Sequence, residues 1–215
     1  MTWLGDHFAE VLSLTGQHVY LAGFPLILGL LIALPLGWLA RRYRVLYPFL
    51  IIGTGLLYTI PSLALFIMLP LLLGTKILDP NNVLVAMTIY TVALLVRTVA
   101  DGLGSVPDAV TQSATAMGYK RVRRFMSVEL PLAVPVISAG MRVAAVSNVS
   151  IVSVAALIGV SQLGSLFTDG FNRTFMEPIV VGVAACVLLA LLFDAAILGV
   201  TRLMTPWQRA GKAAS

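Results

Sequence analysis

The sequence predicts an all-α membrane protein of five crossing helices, with its N-terminus outside and its C-terminus in the cytoplasm. Three observations predict it. Hydrophobic residues make up 59% of the 215 and charged residues only 11%, against roughly 25% charged in soluble domains, which is too little polar surface to coat a water-soluble globule. The apolar residues gather in runs near the roughly 20 residues that a helix needs to cross a bilayer. The basic residues fall in clusters between those runs. Topology and surrounding lipid thereby account for the net charge of +5, and no nucleic-acid partner is required.

The whole chain, 1–215, reads as one membrane domain. Residues 1–18 come first. Trp3, Leu4, Phe8, Val11 and Leu12 recur at helical spacing among Asp6, His7 and Glu10, the pattern of a short helix lying on the outer membrane surface. A basic n-region is missing, so no cleavable signal peptide is expected. His7 and His18 read as surface polar residues rather than metal ligands. The spans are expected at 19–40, 49–74, 83–100, 132–160 and 179–201. The second and fourth exceed the minimum and should tilt, kink or break. Pro61 and Pro70 give the second a local cause, since proline removes a backbone donor. Cys186, inside the fifth run, reads as a packing residue.

Charge sets the orientation. Arg41, Arg42 and Arg44 follow the first span. Lys120, Arg121, Arg123 and Arg124 lie between the third and fourth, and Arg202, Arg209 and Lys212 follow the fifth. The opposite side holds Lys76 and Arg173 beside Asp6, Glu10, Asp79, Asp169 and Glu177. The basic clusters therefore mark the cytoplasm.

Residues 101–131 form the longest connection. "SVPD" reads as a helix start, with Ser105 as the cap, Pro107 in the first turn and Asp108 three residues after the cap. Val106, Val110, Ala114 and Met117 then mark one face, and Gly118 ends the helix through left-handed space. A second short helix follows, with Val122, Phe125 and Met126 on one face, and Pro131 opens the fourth span. An apolar stripe on a water-facing loop calls for a partner surface.

This segment resembles the cytoplasmic "EAA" loop of binding-protein-dependent ABC importer permeases, whose pattern is Glu-Ala-Ala, three residues, Gly, nine residues, Ile-x-Leu-Pro. Here Gln112, Ser113 and Ala114 hold the first places, Gly118 the glycine, and Val128, Glu129, Leu130 and Pro131 the end. Gln112 and Ser113 depart from the pattern, and the amide keeps hydrogen bonding without the charge. The resemblance implies a type I importer architecture like that of methionine permeases. It also implies a coupling helix, carried by Gln112, Ala114, Met117, Gly118, Leu130 and Pro131, that docks in a groove of a cytoplasmic ATPase. "TIPSLALF" at 59–66, "ELPLAVPVISAGMR" at 129–142 and "AALIG" at 155–159 are similar to the glycine betaine/carnitine/choline branch. Of the glycine-rich stretch that follows in that branch, Gly164 is the clear match.

Ionisable residues inside spans face protein or water. Arg97 has Asp101 one turn later, an i,i+4 pair. Arg142 lies roughly 15 Å into the fourth span and Asp194 roughly 12 Å into the fifth, both from the cytoplasmic side, so a pair between helices is expected. The alternative for Asp194 is a proton relay. Ser147, Asn148, Ser150 and Ser153 either glue helices together or line a wet pathway, and make the fourth span the candidate dimer seam. Tyr58 and Ser62 join them as pathway candidates. Tyr58, Tyr90 and Phe66 offer aromatic faces to a quaternary ammonium, with plain packing as the alternative.

The chain carries no phosphate-binding Gly-x-x-x-x-Gly-Lys-Ser/Thr motif, no catalytic triad and no paired carboxylates. It is therefore expected to be a transport subunit rather than an enzyme. It holds no cofactor itself, with ATP and Mg on a partner ATPase. The resemblance implies a second permease subunit, identical or paralogous, and an extracytoplasmic binding protein in a prokaryotic cell membrane. The expected cargo is glycine betaine, carnitine or choline. The same machine importing methionine or another amino-acid derivative is the near alternative. An ion-coupled secondary transporter is the distant one, without the internal repeat common in that class.

Overall fold

The structure, a computed structural model, describes residues 2–43 and 45–207. Arg44, Arg209 and Lys212, used above to argue orientation, lie outside the described residues. The described residues form helices and connecting turns, with no strand among them. In chain order these are α1 (Thr2–Asp6), α2 (Phe8–Arg42), α3 (Leu46–Thr59), α4 (Ser62–Leu73), α5 (Pro80–Gly104), α6 (Asp108–Ala116), α7 (Arg121–Arg124), α8 (Leu130–Ser153), α9 (Ser165–Asn172) and α10 (Met176–Met204). A π turn, Phe125–Glu129, joins α7 to α8, and a 3-10 turn, Val154–Ile158, ends α8. Four helical runs are long and apolar enough to cross a membrane: α2, α5, the rod from Arg121 to Ile158, and α10. The pair α3–α4 makes the fifth if it is counted as one broken span.

That pair bends by 101°, so the second span is broken rather than kinked. Pro61 is the cause. It has no N–H, and it drives the residue before it into extended backbone, where Ile60 sits at φ −65, ψ 129. The break strands a carbonyl, and the Tyr90 hydroxyl of α5 donates to the Ile60 oxygen. Pro70, the other proposed cause, stays inside α4.

The expected surface helix at 1–18 is not a separate element. A short α1 turns at His7, and α2 then runs unbroken from Phe8 through the first span. No proline interrupts residues 8–24, and Leu14, His18 and Leu21 at helical spacing are buried in the bundle, so packing carries the helix back to Phe8.

α5 is the most buried crossing helix and α10 the least. Small residues let α2 lie close against α5. A Cβ on Gly29 would stand 2.5 Å from Thr91 Cγ2 and one on Gly37 2.6 Å from Val99 Cγ1, with Ala33 fully buried between them. This four-residue spacing of small side chains is the usual way for membrane helices to approach. Gly140 does the same for α8 against Thr98 of α5. Cys186 packs partly buried against the core formed by Leu21, Met87 and Leu163.

Two connections differ from expectation. Ser105 caps the end of α5 instead of the start of α6, its hydroxyl donating to Gly102 O at 2.7 Å. Burial of Leu103 and Val106 extends α5 past residue 100, and α6 begins after Pro107 without a side-chain cap. Nor does Pro131 open a new helix. The rod is continuous from Arg121, and Pro131 sits in the first turn of α8 directly after the π turn. A proline inside an α-helix clashes with the carbonyl four residues back; the wider π turn gives that carbonyl room.

Candidate functional site

The 101–131 connection folds from its own glycine outward. After α6, Met117 caps the helix and Gly118 adopts φ +84. Tyr119 N–H donates to Ala114 O at 3.1 Å and Gly118 N–H to Thr115 O at 3.0 Å, the paired bonds of a Schellman motif. The apolar stripe divides. Val106 and Ala114 are buried against the bundle and Val110 is half-buried. Met117 turns outward at 70% exposure. The reason is local: Val106 lies in the linker before α6, and Met117 lies beyond the last turn, so the four residues never share one helix face. Phe125 packs on Trp38 of α2, with ring centroids 5.9 Å apart, while Val122 and Met126 are exposed. Met117, Val122 and Met126 thus form the exposed apolar set of the loop, with Gln112 exposed on α6 and Leu130 and Pro131 half-buried at the foot of α8.

Two of the four loop bases are engaged inside the loop. Arg123 lies 5.1 Å from the Tyr119 ring centroid. Arg124 donates to Glu129 at 2.6 Å and to Thr115 at 2.7 Å. The end of α2 meets the loop here. Trp38, Arg41 and Arg42 line a cavity of about 280 Å³ together with Arg121, Arg124 and Glu129.

The membrane polar residues separate into three groups. Arg142 and Asp194 meet as a two-pronged pair, Nε to Oδ1 at 2.6 Å and Nη2 to Oδ2 at 2.9 Å, joining α8 to α10. Arg97 and Asp101 lie 3.6 Å apart, one turn from each other. Asn148 is buried, and its Nδ2 donates to Ala22 O of α2 at 3.1 Å and to Thr91 Oγ1 of α5 at 3.0 Å. That geometry glues three helices and takes Asn148 off any wet face. Ser147 and Ser153 are half-buried and Ser150 is exposed, so the four polar residues do not share a face.

Tyr58 meets Tyr90 edge to face, with centroids 5.8 Å apart. Phe66 is fully buried in the core and Tyr90 nearly so, which leaves Tyr58 as the accessible ring. Ser62 begins α4 just past the break, half-buried.

Sequence reasoning missed a second polar knot. His18, read as a surface residue, is fully buried. Its Nδ1 lies 3.1 Å from Gln162 Oε1 and its Nε2 3.0 Å from Val149 O. Gln162 Nε2 donates to Ser153 O at 3.1 Å, and Gly164 N–H donates to Gln162 Oε1. The knot ties α2 and the end of α8 to the turn before α9. The available signal was His18 falling at helical spacing between Leu14 and Leu21. His7 stacks on Trp3 instead, with ring centroids 4.3 Å apart. Among the described residues, no group of His, Cys, Asp or Glu side chains is placed to hold a metal ion.

Comparison with known proteins agrees with this geometry. The chain is 34% identical to the osmoprotectant import permease protein OsmW of Salmonella typhimurium, over 88% of this chain and 89% of that one. It is 29% identical to the glycine betaine/carnitine/choline transport system permease protein OpuCD of Bacillus subtilis, over 94% and 90%. Its fold matches a chain of the MetNI methionine ABC transporter in an inward-facing conformation, with a TM-score of 0.80 at 19% identity, covering 91% of this chain and 96% of that one. The architecture is thus that of the type I ABC importer permeases. A sequence profile described as "Binding-protein-dependent transport system inner membrane component" matches residues 26–210. The chain belongs to that family and is a multi-pass inner-membrane component of a binding-protein-dependent transport system.

Proposed function

We propose that the chain is the pathway-forming permease subunit of an ATP-driven importer for a quaternary-amine osmoprotectant such as glycine betaine, carnitine or choline. The exposed set Met117, Val122 and Met126, carried on a glycine-ended helix between α5 and α8, is the observation that supports it most. These apolar side chains need a partner surface, and a cytoplasmic ATPase is that partner. The ATPase binds ATP and Mg; this chain converts its closure into a rigid-body shift of the helices. A second permease subunit completes the pathway, and a binding protein delivers cargo to the outer face.

The end of the bundle bearing the loop faces the cytoplasm, with the N-terminus outside. The convergence of Arg41, Arg42, Arg121 and Arg124 at that end supports this orientation. Tyr58 and Ser62, beside the break in the second span, are the pathway residues that the geometry favours. Helix breaks at membrane depth are tolerated where they are buried in protein or line a cavity. The cargo class rests on the relatives' names. Competition experiments in proteoliposomes test it: glycine betaine, carnitine or choline should compete for uptake and methionine should not. Competition by methionine alone would assign the other cargo.

A further inference from the structure

Arg124 is held at two points that lie on opposite sides of the loop's sharpest turn. Thr115 stands on α6, before the left-handed Gly118, and Glu129 ends the π turn at the foot of α8. The guanidinium spans them, Nη1 donating to Thr115 Oγ1 and Nε donating to Glu129 Oε1. Thr115 is itself fixed, because its hydroxyl donates to Thr111 O at 2.7 Å.

The π turn makes this contact possible. Along an α-helix, residues three and four apart share a face; Arg124 and Glu129 are five apart. In the π turn the Leu130 N–H reaches back to Phe125 O, and this i→i+5 pattern stacks residues five apart. The pair is also shielded, with side chains 29% and 15% exposed, more than the 70% and 52% of the ordinary surface pair Arg97–Asp101. A pair serving only its own helix would not need Thr115, which belongs to another element.

We propose that Arg124 is a positioning residue. Together with Thr115 and Glu129 it braces the Gly118 turn, so that α6 and the fourth span move as one body. Without the brace, a push on Met117 is absorbed by rotation at Gly118 and does not reach α8. The transmission role rests on the function proposed above; the brace itself does not.

Two measurements separate them. In the purified chain, hydrogen exchange reads the brace. Thr115→Val keeps the shape but loses the hydroxyl, both the acceptor for Arg124 and the donor to Thr111 O, whereas Arg124→Met removes the brace alone. Both variants should speed amide exchange over residues 111–119 by about fivefold, the effect of one ordinary hydrogen bond. Thr115→Ser should restore the wild-type rate. In proteoliposomes with the ATPase and binding protein, the amount of ATP hydrolysed per glycine betaine imported reads transmission. It should rise several-fold for Thr115→Val and Arg124→Met with the ATPase still bound, and stay at the wild-type value for Thr115→Ser. Unchanged exchange in Arg124→Met overturns the brace. Faster exchange with an unchanged ratio overturns its role in transmission. Absence of ATP-driven uptake in the wild type overturns the function proposed above, and the exchange result still decides the brace.

Discussion

Gly164 is where adding a single methyl group should do the most damage. Its backbone, φ −64 and ψ −19, is one that any residue adopts, so the glycine serves space rather than conformation. A Cβ there would lie 2.2 Å from Ser153 O and 2.8 Å from Gln162 Nε2. Carbon–oxygen contacts relax at about 3.3 Å, so the turn must move about 1 Å away from the end of α8. That motion breaks the bond from Gln162 to Ser153 and loosens the hold of Gln162 on His18. Two hydrogen bonds, one buried and one partly buried, at about 1 kcal/mol each, with overpacking strain of about 1–3 kcal/mol, make Gly164→Ala destabilising by about 3–5 kcal/mol. Unfolding of the purified protein in mixed micelles measures it. Gly16→Ala is the control, since nothing lies within 4 Å of a Cβ at that helical position and alanine should stabilise there by up to ~1 kcal/mol. A Gly164→Ala variant within about 0.5 kcal/mol of wild type would refute the close-approach account.

Three further outcomes are expected. Tyr90→Phe strands the Ile60 carbonyl at the break in the second span and should destabilise by about 1–3 kcal/mol, read in the same unfolding assay; a neutral result would show that the break needs no donor. Gly118→Val should lose uptake while inserting normally, and Gly118→Asn should retain more of it because asparagine tolerates the left-handed region; equal activity of the two would remove backbone conformation as the reason for the glycine. Arg142→Ala and Asp194→Ala should each lower the yield of folded protein, and Arg142→Asp combined with Asp194→Arg should recover it; a double variant no better than the singles would contradict the pair.

The fold was largely readable from the sequence because bilayer thickness acts on whole segments. The runs around residues 19–40, 83–100 and 179–201 needed only length and hydropathy. The loop was readable because Gly118 and Leu130-Pro131 stand at fixed spacing. What stayed hidden depended on tertiary contact. His18 looked like a surface residue because its partners, Gln162 and the Val149 carbonyl, are far away in sequence. Asn148 gave equal support to glue and to pathway until Ala22 and Thr91 closed around it. Ser105 carried a good capping signal for the wrong helix, because burial of Leu103 and Val106 extended α5 beneath it. The π turn has no local signature beyond Pro131, and with it the Arg124–Glu129 contact was invisible. The four loop bases taken together were read only as marking one side of the membrane; tertiary contacts alone distinguish Arg124 from its neighbours.

The central claim is that this chain forms a pathway driven by a partner's ATP hydrolysis. Uptake of glycine betaine into proteoliposomes holding the chain, its ATPase and its binding protein tests that claim most directly. Uptake that requires ATP and all three components, and that persists when ion gradients are collapsed, is the predicted result. Uptake driven by an ion gradient in liposomes lacking the ATPase would contradict it.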